Sequence, residues 1–269
     1  MRSSLFPVVL SLACNGTIDS ASVARDPAIA PTPAAADAPR EDAGEAAYEE
    51  AESAAELALP PAPQLRDADI PWERNPVMRR LGHMEATLSE SQYTYGFAVN
   101  ERNGIYNFDC SGMTYWVLKK AAPRAAAALT YGLEQRPLAR DIHRRIASVR
   151  PDAPRHGWQR ISRVDALEPG DVIAWIKPEV IRSPNTGHVG FVVLPPVPVP
   201  RQEHAYLIRF ADSTRLLHDD DTREGRNGFG MGTILLLSDP ATGAPIAYGW
   251  AGLKWRSFET AIALGRPLE

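Results

Sequence analysis

Residues 167–194 read LEPGDVIAWIKPEVIRSPNTGHVGFVVL. The reading of this stretch decides the fold class. Its two apolar runs, DVIAWI and HVGFVV, are short, rich in Val, Ile and aromatic residues, and bounded by Gly, Pro, Asn and Asp. That combination marks strands rather than helices. Downstream, AYLIRFADST (205–214), TILLLSD (233–239) and AYGWAG (247–252) have the same character. Upstream the period changes. In NPVMRRLGHMEATLSE (75–90), Val77, Met78, Leu81 and Met84 fall on one helical face behind an Asn75 cap and Pro76. A second helix follows Asp109, with Met113, Trp116, Val117 and Ala121 on one side and Pro123 as its stop. AAAALTYGLE (125–134) and PLARDIHRRIAS (137–148) read as two more. Helices first and strands second predict an α+β domain, its N-terminal helices packed on an antiparallel sheet.

Outward from this body, the composition changes at both scales. Between strands, LPPVPVPRQE (194–203) and RLLHDDDTREGRNGFGMG (215–232) read as long loops. Ahead of the body, residues 15–70 are mostly Ala, Pro, Asp and Glu and carry 12 acidic residues against 3 Arg. Such a segment lacks the apolar surface to offset its ordering entropy, so it reads as a disordered tether, with one short helix conceivable over EAAYEEAESAAELAL (45–59). The catalytic or binding body is therefore expected at 71–269. Its charge is mildly positive, too weakly to point to nucleic acid, yet compatible with an anionic polymer such as a bacterial cell wall.

The chain has two cysteines, Cys14 and Cys110, so neither a disulfide framework nor a cysteine-rich zinc site is available to it. Cys14 ends MRSSLFPVVLSLAC (1–14), one Arg followed by an apolar run too short to span a bilayer. This reads as an export signal. Its end resembles that of bacterial lipoproteins, which implies lipidation at Cys14 and a membrane-anchored protein of the cell envelope, with simple secretion or an uncleaved N-terminal tail as the alternatives.

Cys110 lies in NFDCSGMTYW (107–116), in the first turn of the second helix. There its sulfur is near unpaired N–H groups and the positive end of the helix dipole, both of which favour a thiolate. A nucleophile also needs a base held by a third group. Of the six histidines, His188 opens a strand at its mouth, where a sheet can hold a side chain facing a cleft. His83, His143 and His156 lie in helices or a polar loop and read as surface residues. The acidic run at 218–222 reads as a solvated loop rather than a metal site, and the glycines at 225–232 lack the context of a phosphate-binding loop.

FDCSGMTYWVLKKA, LEPGDVIAW and GHVGFVVL, in that order, resemble the NlpC family of papain-like cysteine peptidases, over roughly residues 75–215. The resemblance implies a papain-like fold and hydrolysis of peptidoglycan stem peptides, most often between γ-D-glutamate and diaminopimelate, with no metal or organic cofactor. An amidase of the same fold, or a cell-wall scaffold without activity, is the alternative. By the same resemblance Cys110 is the nucleophile, His188 the base and Asp212 the group that orients it, with His204 as rival for the last role. Tyr93, or its neighbour Tyr95, would position the cleaved bond, and Asp109 and Ser111 would bind the free amino end of the peptide. Residues 124–160 read as an insertion in this pattern.

Overall fold

The computed structural model of the protein describes residues 65–250 and 256–269. Cys14, the export signal, and the tether to residue 64 with its short helix lie outside the described residues. A 3-10 turn at Asp67–Asp69 leads into helix α1 (Pro76–Thr87). As its sequence requires, the Asn75 carboxamide accepts from Met78 N at 2.9 Å and Pro76 fills the first turn, where no N–H is needed. Strands β1 (Glu90–Gln92), β2 (Ala98–Asn100) and β3 (Ile105–Asn107) form a small sheet with β3 in the middle. Helices α2 (Cys110–Ala121), α3 (Pro123–Thr130) and α4 (Ala139–Ala147) follow. Pro123 stops α2 and, with its fixed φ, starts α3.

The rest of the described chain builds one antiparallel sheet. Its strands are β4 (Trp158–Ile161), β5 (Val172–Ile176), β6 (Gly187–Val192), β7 (Val197–Pro198), β8 (Ala205–Thr214), β9 (Gly228–Ser238), β10 (Pro245–Trp250), β11 (Arg256–Glu259) and β12 (Ile262–Pro267). They run in the order β11-β10-β9-β8-β6-β5-β12-β4, with β7 beside β8. The α+β expectation of helices on an antiparallel sheet holds. Both faces of the sheet are covered, which is why its central strands are nearly continuous apolar runs. Val172, Ala174, Val189, Phe191 and Ala211 join Met78, Met113 and Ile142 of the helices in one core. Ile173, Trp175, Val192, Ile208 and Phe210 face the other way, into a second core with Leu236, Tyr248 and Leu264.

Three features differ from the sequence reading. The packed body reaches back past residue 71 to Leu65: Ile70 is buried, Leu65 packs on two cores, and Asp67 pairs with Arg209 at 2.6 Å. Composition averages over such isolated anchors. Next, β9 starts inside the expected loop, at Gly228. Finally, β12 inserts between β5 and β4, pairing the C-terminus with residues about a hundred positions earlier; no local pattern announces such a partner. Asp171, in the Gly170-Asp171 motif, turns out to hold this return in place by accepting from Arg266 Nε at 2.8 Å and from Glu168 N at 2.8 Å.

One feature of the sheet positions the site. Pairing between β6 and β8 is formed at Phe191↔Ala211 and Val192↔Phe210, and His188 and Thr214 lie beyond it, where the two strands part. The first turn of α2 comes to this opening, tied there by Ser213, whose Oγ donates to the Phe108 carbonyl at 2.7 Å. Asp212 and Ser213 are adjacent on a strand and so face opposite sides: one toward His188, the other toward the chain that carries Cys110. Replacing Ser213 by Ala leaves the Phe108 carbonyl with only the longer bond from Thr94 N, at 3.4 Å. The expected loss is about 1–3 kcal/mol in urea unfolding, with slower alkylation of Cys110 in the folded protein; unchanged values for both would show that this tie does not set the position of α2.

Candidate active site

Cys110 begins α2 and is 5% exposed. Asp109 caps the helix, its Oδ1 accepting from Gly112 N at 2.6 Å and from Ser111 Oγ at 3.0 Å. Across the opening, the His188 ring is packed against Trp175, its cross-strand neighbour, at 5.0 Å and against Phe210 at 6.2 Å. His188 Nε2 donates to Asp212 Oδ2 at 2.5 Å. The Cys110 sulfur is near enough to act on the ring electrostatically and to favour its protonated form. Cysteine, imidazole and carboxylate therefore meet at one place, the residue types that nucleophile, base and orienting group require. His204 is remote from this line: it sits before the opposite end of β8, with a half-exposed side chain.

Gly190 makes the His188–Asp212 contact geometrically accessible. A Cβ there would lie 2.5 Å from the Ala211 carbonyl oxygen and 2.9 Å from Asp212 Cβ, so a larger residue would force β6 and β8 apart.

Asp212 is fully buried and has more partners than the sequence reading gave it. His218 Nε2 donates to the same Oδ2 at 2.9 Å, and Arg223 Nη2 donates to Oδ1 and, at 2.9 Å, to the Asp212 carbonyl. Arg223 in turn donates from Nη1 to Asp221 Oδ2 at 2.6 Å and from Nε to the Gly228 carbonyl at 2.8 Å. Asp221 also accepts from His218 N at 2.9 Å. The run HDDDT, expected to be a solvated loop, is thus folded inward, and its first residue, His218, and the residue after it, Arg223, become supports of the site. The glycines explain how. A Cβ on Gly232 would come within 2.4 Å of His218 Cβ, and one on Gly230 within 2.6 Å of Arg223 Cγ. β9 keeps Phe229 and Met231 toward the core and presents bare backbone on the other side, against which the 218–223 segment lies. The alternation GFGMG was the sequence signal for both the strand and the docked loop.

The charges follow from this packing. Burial alone would push the His188 imidazolium toward its neutral form. The negative charge of Cys110, with the hydrogen bonds to Asp212 and Cys110, outweighs that effect and raises the pKa from the ordinary 6.5 to about 10. Burial likewise opposes the charge of Asp212, but His218, Arg223 and His188 hold its carboxyl well below the usual range. At neutral pH the His188 imidazolium therefore lies beside the Asp212 carboxylate. Because His188 binds its proton more tightly folded than unfolded, its contribution to stability is complete below about pH 6.5 and is lost as the pH rises through about 10. Asp212 acts in the opposite sense: its contribution is present above the ordinary value of 3.8 and is lost as the pH falls below it toward the depressed folded value.

His188, Asp212 and His218 offer ligand atoms within 4.8 Å of one another, the composition of a two-histidine, one-carboxylate metal site. Their arrangement does not fit an ion. Both ring nitrogens bond one carboxylate oxygen, at 2.5 and 2.9 Å, whereas ligands around a tetrahedral zinc with bonds near 2.0–2.1 Å lie roughly 3.3 Å apart. The Arg223 cation already occupies the other oxygen.

Of the remaining expected residues, Tyr93 and Tyr95 lie together at the rim, their rings 6.1 Å apart in an edge-on arrangement. Tyr93 N donates to Asn227 Oδ1 at 2.8 Å and Tyr95 OH to Asn185 Oδ1 at 3.0 Å. Asp109 and Ser111 are buried and bonded to Arg136, which no sequence argument singled out: Nη2 donates to Asp109 Oδ2 at 2.5 Å and Nη1 to Ser111 Oγ at 2.7 Å. It comes from the 124–160 segment, between α3 and α4. Comparison with protein-family models, curated proteins and solved structures gave no match to this chain.

Two outcomes test the site. In NMR titrations of ring-labelled histidine, the His188 signal is expected to titrate far above 6.5, toward about 10, and to move down in Cys110→Ala as the sulfur's charge is removed; an ordinary midpoint in the wild type would refute the charge arrangement. Gly232→Ala is expected to push His218 off β9, destabilise the fold by about 1–3 kcal/mol and, by withdrawing a donor that shares Asp212 Oδ2, shift that same midpoint. A variant with wild-type stability and titration would show that the loop is not docked as described.

Proposed function

We propose that the protein is an exported, lipid-anchored cysteine peptidase that hydrolyses peptidoglycan stem peptides. The observation that supports the hydrolytic part is one imidazole that bonds the Asp212 carboxylate and interacts electrostatically with Cys110. The choice of substrate rests on the three motifs in NlpC-like order and on the mildly basic body behind a candidate lipidation signal. The γ-D-glutamyl–diaminopimelate bond is the first expectation.

The chemistry follows from the charges. The sulfur of Cys110, as thiolate, attacks the peptide carbonyl carbon, and the electron pair of the C=O moves onto oxygen. Unpaired N–H groups of the first turn of α2 are positioned by type to bind that oxyanion. As the tetrahedral species collapses, the C–N bond breaks and His188 gives its Nδ1 proton to the departing amine. A thioester remains. Water then attacks it, giving a proton to the now neutral His188 while the C–S bond breaks and the sulfur leaves as thiolate. Asp212 keeps its charge throughout, fixes the ring through Nε2 and stabilises the imidazolium before and after each transfer.

Defined muropeptides incubated with the protein and with Cys110→Ala, and analysed by mass, test this. Cleavage by the wild type with loss of at least about a thousandfold in the variant is expected. A product set reporting scission between sugar and L-alanine would reassign the bond to an amidase. Absence of turnover, with Cys110 alkylated no faster than a denatured thiol, would leave a scaffold protein.

A further inference from the structure

We infer that Arg136 sets the charge preference of the surface beside Cys110: a subsite here takes a neutral or anionic group and disfavours an ammonium. The inference rests on the reading of Cys110 as a nucleophile toward stem peptides and departs from the expectation that Asp109 and Ser111 hold a free amino end.

The Asp109 carboxylate is already occupied. Oδ1 accepts two donors, from Gly112 N and Ser111 Oγ, and Oδ2 accepts the short bond from Arg136. Ser111 Oγ is also committed, donating to Asp109 and accepting from Arg136 Nη1 at 2.7 Å. The exposures decide which charge a ligand meets: the Arg136 side chain is 24% exposed, that of Asp109 only 3%. An approaching group therefore encounters the guanidinium edge, with the carboxylate behind it. For an ammonium to use Asp109 it would have to displace Arg136 from a charge-assisted pair and leave that cation nearby without its partner.

Arg136 is held in this place from two sides. Its Nη2 also donates to the Tyr95 carbonyl at 3.3 Å, which fixes it against the rim segment that carries Tyr93 and Tyr95. On the same segment the Arg215 guanidinium lies over the Tyr93 ring at 5.4 Å. A carboxylate or an acylated nitrogen finds N–H donors and no opposing charge; an ammonium meets like charge. The substrate class that matches is a stem peptide whose amino end is blocked, as it is while still joined to its sugar, or one presenting a carboxylate there.

Three forms of the tetrapeptide L-Ala-γ-D-Glu-diaminopimelyl-D-Ala test this, with the terminal amine free, acetylated or succinylated. They bring a positive, a neutral and a negative group to one place on an unchanged backbone. Binding to the full chain carrying Cys110→Ala, measured by calorimetry, is expected to be about tenfold weaker or worse for the free amine than for the other two. Adding Arg136→Gln uncovers Asp109 and should reverse that order, whereas Arg136→Lys, which keeps the charge, should preserve it even if Arg136→Gln fails to fold. Tightest binding by the free amine, an order insensitive to Arg136→Gln, or no binding by any form overturns the inference. Turnover by the wild type separates the two readings. Cleavage with a preference for the free amine removes the inference and keeps the hydrolase; the expected charge order without cleavage removes the hydrolase and keeps the subsite.

Discussion

The structure depends on one buried carboxylate. Asp212 has no exposure to solvent, and an uncompensated ion in such a place would cost several kcal/mol after relaxation. It is tolerated because three donors converge on it: His188 from β6, and His218 and Arg223 from the segment between β8 and β9. None of these can be removed without leaving charge unmatched. Arg223 is itself 3% exposed and spends its N–H groups on Asp212, Asp221 and the Gly228 carbonyl. The site therefore assembles only when the loop docks, the strands align and the imidazole is in place. Orientation of the base and closure of the fold are thermodynamically one event.

That coupling bears on why a carboxylate occupies this position. An amide could orient the ring, but it would not hold a proton on it against the desolvation imposed by Trp175 and Phe210. A full charge does. The cost of keeping that charge underground falls on Arg223, which neutralises one oxygen while the other remains for imidazole. His218 then shares the imidazole's oxygen and limits the directions from which His188 can approach. In this arrangement rigidity comes from saturation of acceptors, with few lone pairs left to offer the ring an alternative partner.

How much of this was legible in the sequence depends on whether the signal was local. Cys110 at a helix start, His188 at a strand mouth and Asp212 near a strand end are each visible in a short window. The helix cap and the strand start point to the first two, whereas Asp212 was picked out by the resemblance to the NlpC pattern. His218 and Arg223 were hidden because their run of acids resembles a solvated loop, and their burial depends on a glycine-faced strand that itself resembled a loop. The alternation of Gly230 and Gly232 with Phe229 and Met231 carries the message, but only when read at period two. Arg136 was hidden for another reason: it is one arginine among many, and its partner Asp109 already had a complete local role as helix cap. β12 was hidden because its partners, β4 and β5, are distant in the chain, and "IALGRP" has too few apolar residues to stand out.

The two arginines, Arg136 and Arg223, act on the carboxylates to either side of Cys110 and His188. A carboxylate placed beside a helix N-terminus satisfies its N–H groups, yet its charge opposes the appearance of a second negative charge on the neighbouring sulfur. Arg136 cancels that opposition at Asp109 without giving up the cap, since it binds Oδ2 while Gly112 N binds Oδ1. Arg223 does the corresponding work at Asp212, leaving Oδ2 to the imidazole. Each carboxylate is thus divided between a cation that balances its charge and a donor whose position it fixes. Between them lies His188, whose imidazolium is favoured by its interactions with Cys110 and Asp212. In the proposed reaction one proton would pass between imidazole and substrate while the surrounding ions keep their charges, so little reorganisation would be required of the protein.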